Sequence, residues 1–205
     1  MCKYFENSEI CCRFVVLKLK TMCKPLSEYK SYLENLVREK SSVTFSNGGI
    51  EYAAVLMSIL LKYTKHSVCM FCDGFKPELI KNEVYWKALN EYLKDKSKKL
   101  IVIVNTDAYI KEEPLQALYN AQQARGFDKS IMVYKIDEEG REIIKQQFNG
   151  SLNHFAIFDD DMYRLEYAPT DYKAFGSFNN TSHVKLLRSL FDSVIEHSTS
   201  IAWNS

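Results

Sequence analysis

Glycine and proline are scarce in this chain, at 7 and 4 of 205 residues. That excludes collagen-like, linker-like and low-complexity chains. No apolar run approaches the roughly 18 residues of a membrane span. The longest, residues 53–61, is interrupted by Ser58. Neither sign of charge dominates: 27 Lys and Arg face 26 Asp and Glu, a formal net charge of +1. There is thus no bulk basic field to attract nucleic acid and no acidic field to favour disorder. The opening residues, Met1-Cys2-Lys3-Tyr4-Phe5-Glu6, lack the basic-then-apolar order of a signal peptide, so the expected compartment is the cytoplasm. There the six cysteines, Cys2, Cys11, Cys12, Cys23, Cys69 and Cys72, are expected as thiols rather than disulfides. The Asn-x-Ser/Thr triplets at Asn149, Asn179 and Asn180 are then chance matches.

What is present is an ordinary globular composition, 46% hydrophobic, with enough chain for one sizeable core. Residues 1–42 read as an N-terminal extension, with a short strand at 13–19 and a helix at 26–40. Residues 43–205 read as the main domain. A short strand at 43–45 and a turn at Ser46-Asn47-Gly48-Gly49 lead into an alternation of types. Helices are predicted at 50–63, 78–93 and 113–124, and strands at 67–72, 100–104 and 131–136. Leu100-Ile101-Val102-Ile103-Val104 is apolar throughout, as a strand covered on both faces should be. The last third changes character, with strands at 153–158, 162–168 and 172–178. A helix at 181–197 follows, carrying the apolar stripe Val184, Leu187, Leu190, Phe191, Val194 and Ile195, with Asn180 or Thr181 as its N-cap. The expected class is α/β, a mixed β-sheet flanked by helices on both faces.

Near the C-terminus, His154-Phe155-Ala156-Ile157-Phe158-Asp159-Asp160-Asp161 places a His seven residues before an Asp, and Gly176-Ser177-Phe178-Asn179 follows. This order resembles the phospholipase D superfamily, whose strand carries His-x-Lys-x(4)-Asp and is followed by Gly-Ser-x-Asn and a closing helix. The resemblance spans about residues 43–198 and implies a phospholipase D-like half-domain. In that family the His attacks phosphorus, the Lys neutralises the phosphoryl oxygens, Ser and Asn hold the phosphate, and Asp orients the His. It therefore implies His154 as nucleophile, Asp161 as its orienting acid, and Ser177 and Asn179 as ligand-binding residues. The Lys position is Ala156, which offers neither charge nor donor. Loss of one preorganised donor costs on the order of 10²–10³ in rate, and loss of a full cation more. The reaction is then crippled unless Arg164 or Lys173 reaches in. The same residues also have plain structural readings, His154 as a strand residue satisfied by a neighbour and Asp161 as hairpin-turn acid.

Other chemistry-bearing patterns read as structure. Cys69-Met70-Phe71-Cys72 lies inside a strand, where residues three apart point to opposite faces and cannot converge on a metal. His183-Val184-Lys185 falls in a predicted helix, where residues two apart diverge. The Asn47-Gly48-Gly49 turn could offer backbone amides to an anion but lacks the Lys-Ser/Thr of a phosphate-binding loop. Lys94-Asp95-Lys96-Ser97-Lys98-Lys99 is a solvated loop cluster with weak support for nucleic-acid contact. The acid triplet 159–161 is an unpromising Mg²⁺ site.

The expectation is a catalytically impaired phospholipase D-like domain acting as a binding, regulatory or assembly module, with a phosphate-bearing ligand as a candidate occupant and with no metal and no cofactor. Enzyme activity is left open, leaning against it. The first alternative is an active phosphodiesterase or nuclease, with His154 as nucleophile and Arg164 in place of the Lys. The second is an unrelated α/β interaction protein. One half-site per chain in the resemblance implies a homodimer. A partner protein is a further option, and no membrane contact is expected.

Overall fold

The computed structural model describes residues 24–108, 110–126 and 130–201. The predicted strand at 13–19 and Cys2, Cys11, Cys12 and Cys23 lie outside the described residues. Helix α1 (Leu26–Arg38) leads to β1 (Phe45–Asn47), α2 (Ile50–Tyr63), β2 (Ser67–Cys72), α3 (Pro77–Ile80), α4 (Glu83–Tyr92), β3 (Lys99–Val104), α5 (Glu113–Ala124) and β4 (Ile131–Ile136). Helix α6 (Glu138–Gln147), β5 (Phe155–Phe158), β6 (Met162–Ala168), a 3-10 turn (Pro169–Asp171), β7 (Lys173–Ser177), α7 (Thr181–Ile195) and β8 (Ser198–Ser200) complete the chain.

The eight strands form one sheet in the order β1-β7-β6-β5-β2-β3-β4-β8. β2, β3 and β4 are parallel, and every other pairing is antiparallel. The period-2 alternation of the strands sends side chains to two cores. Val68 and Met70 of β2 join one, with Tyr29 and Leu33 of α1, Leu56 and Leu60 of α2 and Leu89 of α4. Cys69 and Phe71 join the other, with Ile144 of α6 and Val184, Leu187 and Phe191 of α7. The sheet is thus covered on both faces, as its apolar central strands require.

The helix predicted at 78–93 is broken in two. Asn82 accepts hydrogen bonds from the backbone N–H groups of Val84 and Tyr85, so it caps a new helix instead of continuing the old one. Helix α6 was not predicted. Its capping acid, Asp137, accepts from Gly140 N, but Gly140 and a run of charged residues hide the apolar stripe. Gly140 is demanded by packing, because a Cβ there would stand 2.6 Å from Ile136 Cγ1. The short polar strand β8 was also missed.

Gly176 has a similar cause. A Cβ on it would lie 2.1 Å from the Tyr163 carbonyl oxygen and 2.7 Å from the Phe45 ring. Close approach of β1, β7 and β6 therefore explains this glycine without any ligand. Gly176→Ala should destabilise the fold by about 3 kcal/mol, the upper end of the overpacking range. Urea unfolding of the purified variant checks it, and a midpoint equal to wild type would show that the Phe45 ring moves aside freely.

A sealed polar cluster at the candidate active site

His154 stands one residue ahead of β5, and its backbone carbonyl accepts from Glu166 N at 2.7 Å. This pairing puts the His154 and Glu166 side chains on the same face of neighbouring strands. Two residue pairs further along, Ala156 of β5 lies directly opposite Arg164 of β6. Arg164 and Glu166, two apart on one strand, share a face. The three functional groups meet there: His154 Nδ1 lies 2.7 Å from Glu166 Oε2, and Arg164 Nη1 donates to Glu166 Oε1 at 2.6 Å. All three side chains are nearly excluded from water, at 8%, 5% and 7% exposure for His154, Glu166 and Arg164.

Neighbouring elements complete the cluster. Arg164 Nε reaches Asn47 Oδ1 at 3.4 Å, and Nη2 reaches the Tyr172 carbonyl at 3.5 Å. Asn47 Nδ2 donates to the same carbonyl at 2.5 Å. On the other side, Asp73, just past β2, donates its backbone N–H to His154 Nε2 at 3.1 Å. Its carboxylate faces Lys76 Nζ at 3.3 Å. A cavity of about 80 Å³ adjoins the cluster, with Met57, Met70, Phe75, Leu79 and Tyr85 on its apolar side. Ligand pockets usually exceed about 300 Å³, so this space suits little more than a few waters or a small ion.

The charges here are mutually held. Burial works against a charge on His154, but the carboxylates of Asp73 and Glu166 outweigh it and raise the imidazole pKa. Burial would likewise push Glu166 up, yet Arg164 and His154 hold its carboxyl below the usual range. The His154 hydrogen bond, with help from Lys76, keeps Asp73 low as well. With Glu166 ionised, Nδ1 is the donor of the His154–Glu166 bond. In neutral His154 the remaining nitrogen, Nε2, then offers its lone pair to Asp73 N–H.

Of the site residues read from the sequence, His154 and Arg164 are brought together, and Asp161, Ser177 and Asn179 are placed elsewhere. β7 sets Ala174 opposite Glu166 and Ser177 opposite Tyr163. Ser177 therefore stands three residues, about 10 Å, along the strand from the level of His154. Ser177 Oγ accepts from Asn179 N, and Asn179 Nδ2 donates to the Lys40 carbonyl. Asp161 is exposed in the β5–β6 turn, where its carbonyl accepts from Asn180 N. Its neighbour Asp159 ties that turn to β2 by accepting from the N–H groups of Lys65, His66 and Ser67. Lys173 is paired on the surface with Asp171. His183 sits in the first turn of α7 and stacks on the Tyr163 ring. Cys69 and Cys72 are free thiols that join opposite cores. Among the described residues no group of three or more His, Cys, Asp or Glu is placed to hold a metal, and no helix is long and apolar enough to cross a membrane.

Glu166 stands two residues after Arg164 on one strand, a spacing that places both on the same face. Asn47 and Asp73 were missed as members of this cluster. They lie 117 and 81 residues from their partners, and no local pattern marks them.

Solved structures share this architecture. Nuc from Salmonella typhimurium, a phospholipase D family member, superposes with a TM-score of 0.50 at 12% identity, over 78% of this chain and 99% of its own. NucT from Helicobacter pylori gives 0.51 at 11% identity, again over 78% and 99%. The chain has a phospholipase D-like fold. No family model and no curated protein matches the sequence. The fold expectation drawn from His154 and its surroundings holds, and the alternative of an unrelated α/β fold falls.

The buried cluster of this phospholipase D-like fold has a pH signature. His154 has a raised pKa, so its contribution to stability is complete below about pH 6.5, the ordinary histidine value, and is lost as pH climbs through the higher folded-state value. Glu166 and Asp73 have lowered values, so theirs is complete above about pH 4 and is lost as pH falls through the folded-state values. Stability should peak between about pH 5 and 6. Thermal unfolding from pH 4 to 9 should show wild type weakening above pH 6.5 relative to His154→Gln. Parallel curves above pH 6.5 would mean His154 is not the group responsible.

Proposed function

We propose that this chain is a phospholipase D-like module that does not hydrolyse phosphodiesters and works through binding, as a regulatory or assembly component. The observation that carries this reading is the pair of hydrogen bonds that occupy both nitrogens of His154. A nucleophilic histidine must present an unshared lone pair to phosphorus. Here Nδ1 is engaged by Glu166 and Nε2 by the Asp73 backbone N–H. The catalytic cation is missing for a related reason. Ala156 belongs to the apolar core beside Met57 and Met70, and Arg164 opposite it is spent on Glu166, Asn47 and Tyr172. The two cations beside the cavity are already engaged, Arg164 by Glu166 and Lys76 by Asp73, so charge building on a phosphoryl group would have to compete with these carboxylates.

A second reading is an active phosphodiesterase or nuclease in which Arg164 serves as the missing lysine. It draws on the register that sets Arg164 directly across from Ala156, and a guanidinium can clamp a phosphate bidentately. It requires Glu166 to release Arg164 and Asp73 to swing from His154. Bis(p-nitrophenyl) phosphate and single-stranded DNA separate the two readings. Under the first, wild type turns over neither substrate faster than His154→Gln does. Hydrolysis by wild type that His154→Gln abolishes would establish the second.

The half-site organisation implied by the resemblance leads us to propose a homodimer. Light scattering should give roughly twice the 23.9 kDa chain mass, and a monomer at micromolar concentration would overturn the proposal.

A further inference from the structure

His154 Nε2 has two partners that ask for opposite states. The Asp73 backbone N–H, 3.1 Å away, can donate only to the unprotonated nitrogen. The Asp73 carboxylate Oδ1, 3.4 Å away, can be served only by a proton on that same nitrogen. This oxygen also has a second suitor, since Asn105 Nδ2 donates to it at 3.3 Å. Asn105 in turn accepts Arg141 Nε on its Oδ1 at 2.8 Å, and Arg141 Nη1 donates to exposed Glu138 at 2.9 Å. One chain of hydrogen bonds therefore runs from the buried triad, along the edge where β2 and β3 end, to the surface of α6.

We infer that His154 is a proton-operated latch on this chain. Neutral, the ring is capped by the Asp73 main chain. Protonated, it draws the Asp73 carboxylate onto itself and away from Asn105, so the setting of Asn105 and Arg141 follows the charge on a buried ring. The step is a plain proton uptake: a solvent proton binds Nε2, one N–H···N bond is lost and one N–H···O bond forms. The inference rests on the non-hydrolytic reading and deepens it, because in neither state does Nε2 show an open lone pair.

The groups that face the ring leave His154 as the titrating member. From β6 come Glu166, kept ionised by Arg164, and Arg164 itself. From the end of β2 and the segment after it come Cys72 and Lys76, which line the adjoining cavity, and Asp73, which meets Nε2. Burial pushes the Cys72 thiol up to about 12 and raises Tyr85 of α4 as well, so both stay protonated. Helix α2 contributes only Met57, and the segment after the 3-10 turn contributes Tyr172. Among the described residues of this shell His154 is the one histidine, the side chain that responds between pH 5 and 8.

The test is a ¹⁵N NMR titration of the full chain from pH 5 to 9. The Asp73 backbone amide, the Asn105 side-chain amide and Arg141 Nε should shift with one midpoint, equal to that of the His154 ring. In His154→Gln these shifts should vanish. Asp73→Asn keeps the N–H cap but removes the carboxylate, so the His154 midpoint should fall by about half a pH unit or more, a test that stands if the glutamine variant fails to fold. Asp73 and Asn105 signals that stay still while His154 titrates, or that shift equally in His154→Gln, would overturn the latch. Bis(p-nitrophenyl) phosphate turnover measured on the same samples reports separately on the non-hydrolytic reading.

Discussion

One carboxylate holds the buried end of β5 and β6 together. Glu166 gives one oxygen to His154 and the other to Arg164, and all three groups are almost out of water. Burying a charge costs several kcal/mol unless it is paired and hydrogen-bonded, and removing one partner strands the rest. The arrangement spreads from there because each group must be satisfied. Arg164 has donors left over, which Asn47 of edge strand β1 and the Tyr172 carbonyl take. His154 has a nitrogen left over, which the segment after β2 covers. Four separated stretches of chain are thus tied to a single acid.

On the proposed non-hydrolytic reading, this satisfaction is also what separates the scaffold from a working phosphodiesterase. A site for an anionic transition state keeps donors in reserve, aimed at where charge will appear. Here the cations are paired with the protein's own carboxylates, Arg164 with Glu166 and Lys76 with Asp73, and the space beside them is small and mostly apolar. The sheet order, the helices on both faces and the position of the histidine at a strand end follow from packing and hydrogen-bonding rules that many sequences meet. Identities of 12 and 11% to Nuc and NucT are compatible with a shared fold for that reason. They say nothing of shared chemistry, which depends on a few side chains.

Much of the fold was legible because its signals are local. Strands 67–72, 131–136 and 162–168 and helices 50–63 and 113–124 carry periodicities strong enough to place both ends. Asn180 reads as an N-cap and acts as one for α7. The misses have local causes too. Asn82 restarts a helix inside a continuous apolar pattern, Gly140 interrupts the pattern of α6, and Ser198–Ser200 is too short and polar to register.

The site divides along the same line. Arg164 and Glu166 are two apart on a strand, so their pairing was written in the spacing, as was the absence of a lysine at Ala156. The Gly176-Ser177-Phe178-Asn179 match says nothing of distance from His154, because a motif records order and not register. Only the pairing of β7 with β6 shows Ser177 opposite Tyr163 and away from His154, and only the Phe45 ring packed on Gly176 shows why a glycine is there. By itself the sequence determined most element types, the two-faced sheet and the alanine where the resemblance calls for a lysine, since each depends on neighbours in the chain. Which groups would close over His154 was left to the tertiary structure, because Asp73 and Asn47 reach the cluster across strand order, and strand order is a property of long-range pairing that no local pattern encodes.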